Sequence, residues 1–449
     1  MQTNPLTGIG PTDISPTTRR RFLRRLGAAG LLAGMPGLAA GLFAGCSGEL
    51  PPLPGQFSKR GPIRVGLLHS QTGSLALNEN PVRDAETLAI EEINAAGGLL
   101  GRPVEIICPD TKSRTDLYPR RARTMLVDHN VAALFGGWTS DGRKVVLPLL
   151  KEFNRLLFYP LAYEGNESHH NVIYGGLLPN QQVLPAIDWL LSPSEGSRTK
   201  VFLIGTDLIY SRTANFVARK YLQSRGMQVM GEILVPLGGR DFAPIVAQIR
   251  DSGCDCILST ITGDSNLAFY RELAAIGNDP RQRPVVATSI GENSLQSFLP
   301  EEVAGHYTAR SYFQGLRSPE NARWVETFRA EFGYDRVLSD SMEPGYALVH
   351  LWANAVRKCG ALDADSVRQA LADVEFAGPS GTLRVDPRTQ HCGKRFRIGR
   401  VTTNREFEVI HESEQVIPPD PYPQFAFPGW SCDWTKDGLI PGPAVRFEL

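Results

Sequence analysis

From Ile63 the chain alternates two kinds of segment, and that rhythm restricts the fold more than anything else in it. Short apolar runs rich in β-branched residues are each followed by a longer stretch of helical period. IRVGLL (63–68) precedes NPVRDAETLAIEEINAAGG (80–98), where Val82, Ala85, Ala89 and Ile93 recur every three or four residues until Gly97-Gly98 stops the helix. PVEIIC, a helix over 117–129, VAALFGG, a helix to about Phe153 and LLFYP continue the pattern. It resumes at KVFLIG with a helix over 213–224, and at CDCILST with a helix over 265–275. Such alternation predicts an α/β protein with parallel sheets covered by helices. The two runs part near Leu178–Gln182, and 449 residues are too many for one ordinary core. Two lobes joined by a hinge are therefore expected. Residues 62–180 and 309–384 form the first, with further helices over 319–332 and 342–359, and residues 181–308 and 385–415 form the second.

The N-terminus belongs to another regime. TTRRRFLRR is followed by an uncharged stretch, Leu26 to Gly45, which together have the form of a secretory signal over residues 1–45. The segment around Arg19 and Arg20 resembles a twin-arginine export signal, and Leu42-Phe43-Ala44-Gly45-Cys46 resembles a lipobox, with Cys46 as the lipidation site. Glycines make the stretch a poor permanent membrane helix. Residues 46–61 read as an extended Pro/Gly tether and 416–449 as an irregular Pro-rich tail. A periplasmic or cell-surface, lipid-anchored protein is expected. With 47 basic and 47 acidic residues the balance is neutral, which argues against nucleic acid as a partner. Cys108, Cys254, Cys256, Cys359, Cys392 and Cys432 lack metal-ligand spacing, and their pairing is unreadable from sequence. Cys254 and Cys256, two apart in a strand candidate, are expected on one face.

In open parallel sheets ligands sit beyond the carboxyl ends of the strands, so the strand-end loops carry the candidate site. They are HSQTG (69–73), GGWTS (136–140), YPLAYEG (159–165), GTDLIYS (205–211), TGDSN (262–266), TSIGEN (288–293) and the crossing near Ala309–Ser311. No nucleotide-binding glycine loop, H-E-x-x-H or G-x-S-x-G elbow occurs, and no general base stands beside Ser70 or Ser140. The reading is therefore a binding protein rather than an enzyme, with no cofactor and no metal. Ser70 and Thr72 adjoin Gly73, where a tight turn aims N–H groups at a ligand. Thr139 and Ser140 offer hydroxyls at a helix start, where such residues also serve as caps. Trp138, Tyr159, Tyr163 and Tyr210 supply wall or core. Charges are few, chiefly Asp207, Asp264 and Glu292, so a small neutral ligand is expected. Ser70 and Thr72 with Glu292 would also suit an amino acid.

GLLHSQTGSLA, LAIEEINAAGGLLGRPVE, FGGWTSDGRKVVLP, LLFYPLAYEG, NVIYGGLLPNQQVLPAIDWL, GDSNLAFYREL, VAGHYTARSYF, SPENARWVETF and PSGTLRVDPRTQH together resemble the urea and short-chain-amide branch of ABC-transporter substrate-binding proteins. The resemblance covers residues 62–418 and implies a type I periplasmic binding protein fold. It further implies a two-lobe clamp that closes on urea or a related small amide and is read by membrane permease subunits. Trp138 and Ser140 would form the first-lobe wall and hydrogen-bonding group, with Tyr159 and Pro160 beside them and Tyr163 at the edge. This chain departs from the branch in three places. Leu161-Ala162 replaces an amide donor, Leu208 stands where a phenol is usual, and Arg310-Ser311 replaces the usual tryptophan or proline before Tyr312-Phe313. A pocket short of polar groups would leave urea's donors unpaired, so a substituted amide is the alternative within the branch. Outside it stand an amide sensor that regulates a partner, a binder of branched-chain amino acids and a secreted hydrolase.

Overall fold

The computed structural model describes residues 57–433. Arg19, Arg20, Cys46, the whole 1–45 signal and the end of the tail lie outside the described residues.

The strands are β1 (Ile63–Leu68), β2 (Val104–Ile107), β3 (Ala133–Gly136), β4 (Leu156–Tyr159), β5 (Val172–Tyr174), β6 (Lys200–Thr206), β7 (Gln228–Val235), β8 (Cys256–Thr260), β9 (Val285–Ala287), β10 (Tyr307–Arg310), β11 (Phe376–Gly378), β12 (Gly381–Leu383), β13 (Val385–Asp386), β14 (His391–Cys392), β15 (Arg397–Val401) and β16 (Phe407–Glu412). They build two seven-stranded sheets, ordered β2-β1-β3-β4-β5-β14-β13 and β7-β6-β8-β9-β10-β15-β16, with β11 and β12 as a separate hairpin. The first five strands of each sheet run parallel. This is the expected two-lobe α/β architecture.

Alternation along each strand divides the core. In the first lobe Val65, Leu67, Phe135 and Phe158 face the helices Ala76–Ala95 and Met342–Cys359, while Leu68, Leu134 and Leu157 face Leu117–Val127 and Leu147–Phe153. In the second lobe Phe202, Ile204 and Ile257 pack on one side, and Val201, Leu203 and Leu258 on the other. The chain crosses between sheets after β5, after β10 and between β14 and β15.

Four readings need correction. The segment 385–415 is divided, because β14 pairs with β5 of the first sheet and only β15 and β16 belong to the second. Likewise β10 stays in the second sheet through Arg310, so the second crossing comes after residue 309. The helix expected to run to Phe153 is broken into Ser140–Lys144 and Leu147–Phe153. Cys254 precedes β8 rather than lying in it, and joins the apolar cluster opposite that of Cys256. The six cysteines among the described residues are free thiols.

Candidate functional site

Each sheet reverses its winding at one point, between β1 and β3 in the first lobe and between β6 and β8 in the second. Loops leaving such switch points part to either side and leave a crevice. Here the two crevices share one cleft of ≈ 750 Å³. Of the candidate residues, Trp138, Thr139, Ser140, Tyr159 and Leu161 line it from the first lobe, and Leu208, Tyr210 and Asp264 from the second.

The first-lobe wall begins with a glycine pair. Gly136 and Gly137 have φ of 98° and 86°, the left-handed region that lets β3 end in a sharp turn. A side chain at Gly136 is also excluded by space, since its Cβ would stand 2.4 Å from His69 Nε2. The turn delivers Thr139 as the helix cap, its Oγ1 accepting from the Gly142 N–H at 3.2 Å. Ser140 is thereby free of capping and donates to Glu164 Oε2 at 2.6 Å. Behind it Arg143, wholly buried, donates from Nε to Glu167 Oε1 at 2.7 Å and pairs with Glu164 at 3.5 Å. Its guanidinium lies 4.6 and 4.5 Å from the ring centroids of Tyr159 and Tyr163. Burial acts to raise the Glu167 pKa, but Arg143 and Lys144 outweigh it and hold the carboxyl down at about 2. The Tyr159 hydroxyl donates to the Trp138 carbonyl at 2.8 Å, fixing the aromatic wall. This buried charge network fixes the hydroxyl of Ser140, a residue of the cleft lining, through the Glu164 carboxylate.

On the second lobe, the Tyr210 hydroxyl donates to Gln182 Oε1 at 3.2 Å, while Gln182 Nε2 donates to the carbonyls of Thr288 and Ala309. Asp207 is paired with Arg212 at 2.5 Å. Asp264 is exposed at the start of the Ser265–Ala275 helix.

Five candidates do not reach the cleft. Ser70 is fully buried, shares a hydrogen bond with Thr111 at 2.7 Å and accepts from the Ser113 N–H. Thr72 is turned outward and donates to Asp110 Oδ2 at 2.6 Å. Both knit the loop after β1 to the loop after β2. Pro160 is buried behind the wall. Tyr163 is core, stacked on Tyr174 and His391, its hydroxyl 2.5 Å from His391 Nε2. Glu292 lies beneath the surface and accepts from the Gln314 N–H at 2.6 Å; burial pushes its pKa up to about 7 against the pull of that bond and of Arg310.

The cleft also holds groups that sequence reasoning missed, above all Arg310 and Asp340. They pair at 3.4 Å, so the crevice is not uncharged. Arg310 lies in the candidate crossing near Ala309–Ser311 and stands out as a departure from the resembled pattern, without counting among the candidate site residues, and nothing in the sequence announces that residues 339–341 fold back into the site. His69, the lone histidine of the strand-end loops, is a structural ion clamped between Glu79 (3.3 Å) and Glu86 (2.9 Å). Burial works to lower its pKa, but the two carboxylates prevail and raise it to about 9. Among the described residues no cluster of three or more His, Cys, Asp or Glu is placed to hold a metal ion, and no helix is long and apolar enough to cross a membrane.

A family model described as a periplasmic binding protein domain matches residues 63–427. Leu/Ile/Val-binding protein homolog 7 of Brucella melitensis is 21% identical over 333 residues, covering 70% of this chain and 82% of that one. A limonene hydroxylase of Geobacillus stearothermophilus is 31% identical over only 118 residues, and that stretch spans 22% of its length. Among solved structures, an ABC-transporter solute-binding protein of R. palustris in complex with 4-hydroxybenzoate superposes with a TM-score of 0.72 at 20% identity, over 80% of this chain and 98% of that one. A branched-chain amino acid transporter substrate-binding protein of Streptococcus pneumoniae in complex with isoleucine gives 0.69 at 20% identity, over 80% and 100%. Two parallel-sheet lobes, a cleft at their switch points and the match over residues 63–427 establish one conclusion: the chain belongs to the periplasmic binding protein domain family.

Proposed function

We propose that the cleft captures a small organic solute with a flat or branched apolar body, closes over it and presents it to the membrane permease subunits of an ABC importer. The observation that carries this is the pairing of two walls on opposite lobes, Trp138 and Tyr159 against Leu208 and Tyr210, around ≈ 750 Å³. Pockets of that size with aromatic walls suit molecules larger than urea. The R. palustris and Streptococcus pneumoniae relatives, with 4-hydroxybenzoate and isoleucine, support the same size class. A short or substituted amide is the second reading, favoured by the hydroxyls of Thr139 and Ser140 at the first-lobe wall.

Calorimetric titration with 4-hydroxybenzoate, isoleucine, benzamide, acetamide and urea tests the reading, with Trp138→Ala as the control. Binding of one of the larger solutes, weakened in the variant, is expected. Tight binding of urea alone, or binding indifferent to Trp138→Ala, would refute it. Export by the twin-arginine route and anchoring through Cys46 belong to the same proposal. Cys46→Ala should move the protein from the membrane fraction to the soluble extracytoplasmic fraction. Recovery in the cytoplasm of unaltered cells would instead favour the sensor reading, and release of ammonia from an amide would favour the hydrolase.

A further inference from the structure

Arg310 is a cleft residue with hydrogen-bonding capacity to spare. A guanidinium carries five N–H donors. Nε donates to the Ile290 carbonyl at 3.3 Å and Nη1 to Asp340 Oδ2 at 3.4 Å, both long. Three donors on Nη1 and Nη2 are left, on a side chain that lines the cleft and is only 13% exposed.

Its pairing with Asp340 does not cancel it. Asp340 Oδ1 already accepts from the Ser311 N–H (2.9 Å), the Ser311 hydroxyl (2.8 Å) and the Tyr312 N–H (2.8 Å). That carboxylate is satisfied by the hinge backbone and acts as a brace on the arginine. The other lining acids are occupied or distant. Asp207 is held by Arg212, and Asp141 accepts from Thr115. Asp264 follows β8, two strands from β10, which places it roughly 10 Å away. Tyr210, tied through Gln182 to the Ala309 carbonyl, lines the same cleft as the guanidinium.

We propose that Arg310 is the specificity residue of the cleft and takes a carboxylate of the solute through a forked, charge-assisted pair, so that the solute is an organic acid rather than a neutral amide. A planar guanidinium matches two carboxylate oxygens at once, whereas an amide offers it one oxygen and a repelling NH₂. This assignment rests on the reading of the cleft as the solute site.

The test compares acid and amide on one skeleton: 4-hydroxybenzoate against 4-hydroxybenzamide, and 4-methylpentanoate against 4-methylpentanamide, titrated into the wild type, Arg310→Met, Arg310→Lys and Trp138→Ala. Expected is acid binding with the amide weaker, and a loss of about 10- to 100-fold for the acid in Arg310→Met. Arg310→Lys keeps the charge without the fork and should fall between. Thermal melting of each variant confirms that it folds. Equal or tighter binding of the amides, or an acid preference unchanged in Arg310→Met, overturns the assignment. If Trp138→Ala weakens binding while Arg310→Met does not, the cleft reading stands and this inference alone fails. If Trp138→Ala has no effect on any probe, the cleft reading itself fails.

Discussion

Replacing Arg143 by methionine removes a buried cation that faces two buried carboxylates. Glu164 and Glu167 are 3% and 8% exposed, and Arg143 is wholly buried between them. A drop of the Glu167 pKa from its ordinary 4.5 to about 2 corresponds to roughly 3 kcal/mol at 1.36 kcal/mol per decade. Stranding a buried charge by deleting its partner costs about 3–5 kcal/mol, so Arg143→Met should lose about that much at neutral pH. The pH dependence identifies the cause. In the wild type the depressed carboxyl contributes stability that is present above pH 4.5 and lost as pH falls toward 2. In the variant Glu164 loses its ion-pair partner and Glu167 keeps only Lys144, so the carboxyls bind protons more readily and the penalty should shrink as pH falls from 7 to 4. Unfolding in guanidinium chloride at pH 7 and pH 4 is the assay, since urea is itself a candidate ligand. Arg143→Met/Glu167→Gln should recover part of the loss. A cost below about 1 kcal/mol, or one unchanged across that pH range, would refute the claim that Arg143 compensates the two buried carboxylates. The same variant should weaken solute binding, because Glu164 would no longer be held to orient Ser140.

Three more tests bear on neighbouring features. Gly136→Ala forces a Cβ into left-handed backbone 2.4 Å from His69 Nε2 and should cost about 2–4 kcal/mol, read as a lower melting temperature. Because the His69 pKa is raised to about 9, the His69 contribution is complete below pH 6.5 and lost as pH rises through 9; stability measured across that window should fall, and His69→Asn should flatten the slope. Trp138→Ala should weaken binding while preserving a cooperative thermal transition, since Trp138 is half-buried at the cleft; collapse of the transition would show that it serves the core.

Local periodicity made much of the scaffold legible. The helices Ser265–Ala275, Pro319–Phe332 and Met342–Cys359 coincide with the expected spans, as does β1. What escaped were elements whose partners are remote. The strand β7, with Gln228 exposed and the next six residues only partly buried, lacks the continuous apolar run that marks a buried parallel strand, and β9 is three residues long. The two-residue β14 is held between β13 and the edge of β5.

The site shows the same division. FGGWTS announced a sharp turn and a helix start, because the conformational freedom of glycine and the capping habit of Thr and Ser are local properties. Thr139 caps the helix, and the partner of the Ser140 hydroxyl is Glu164, 24 residues on. Tyr163 and Ser70 sit in loops of the expected kind, yet tertiary packing turned them into His391 and Thr111. The alternation of apolar runs determined two sheets and hence a crevice between their reversing strands. The charge inside that crevice depended on Asp340 returning to Arg310 across 30 residues of chain, a contact set by helix packing that no local pattern encodes.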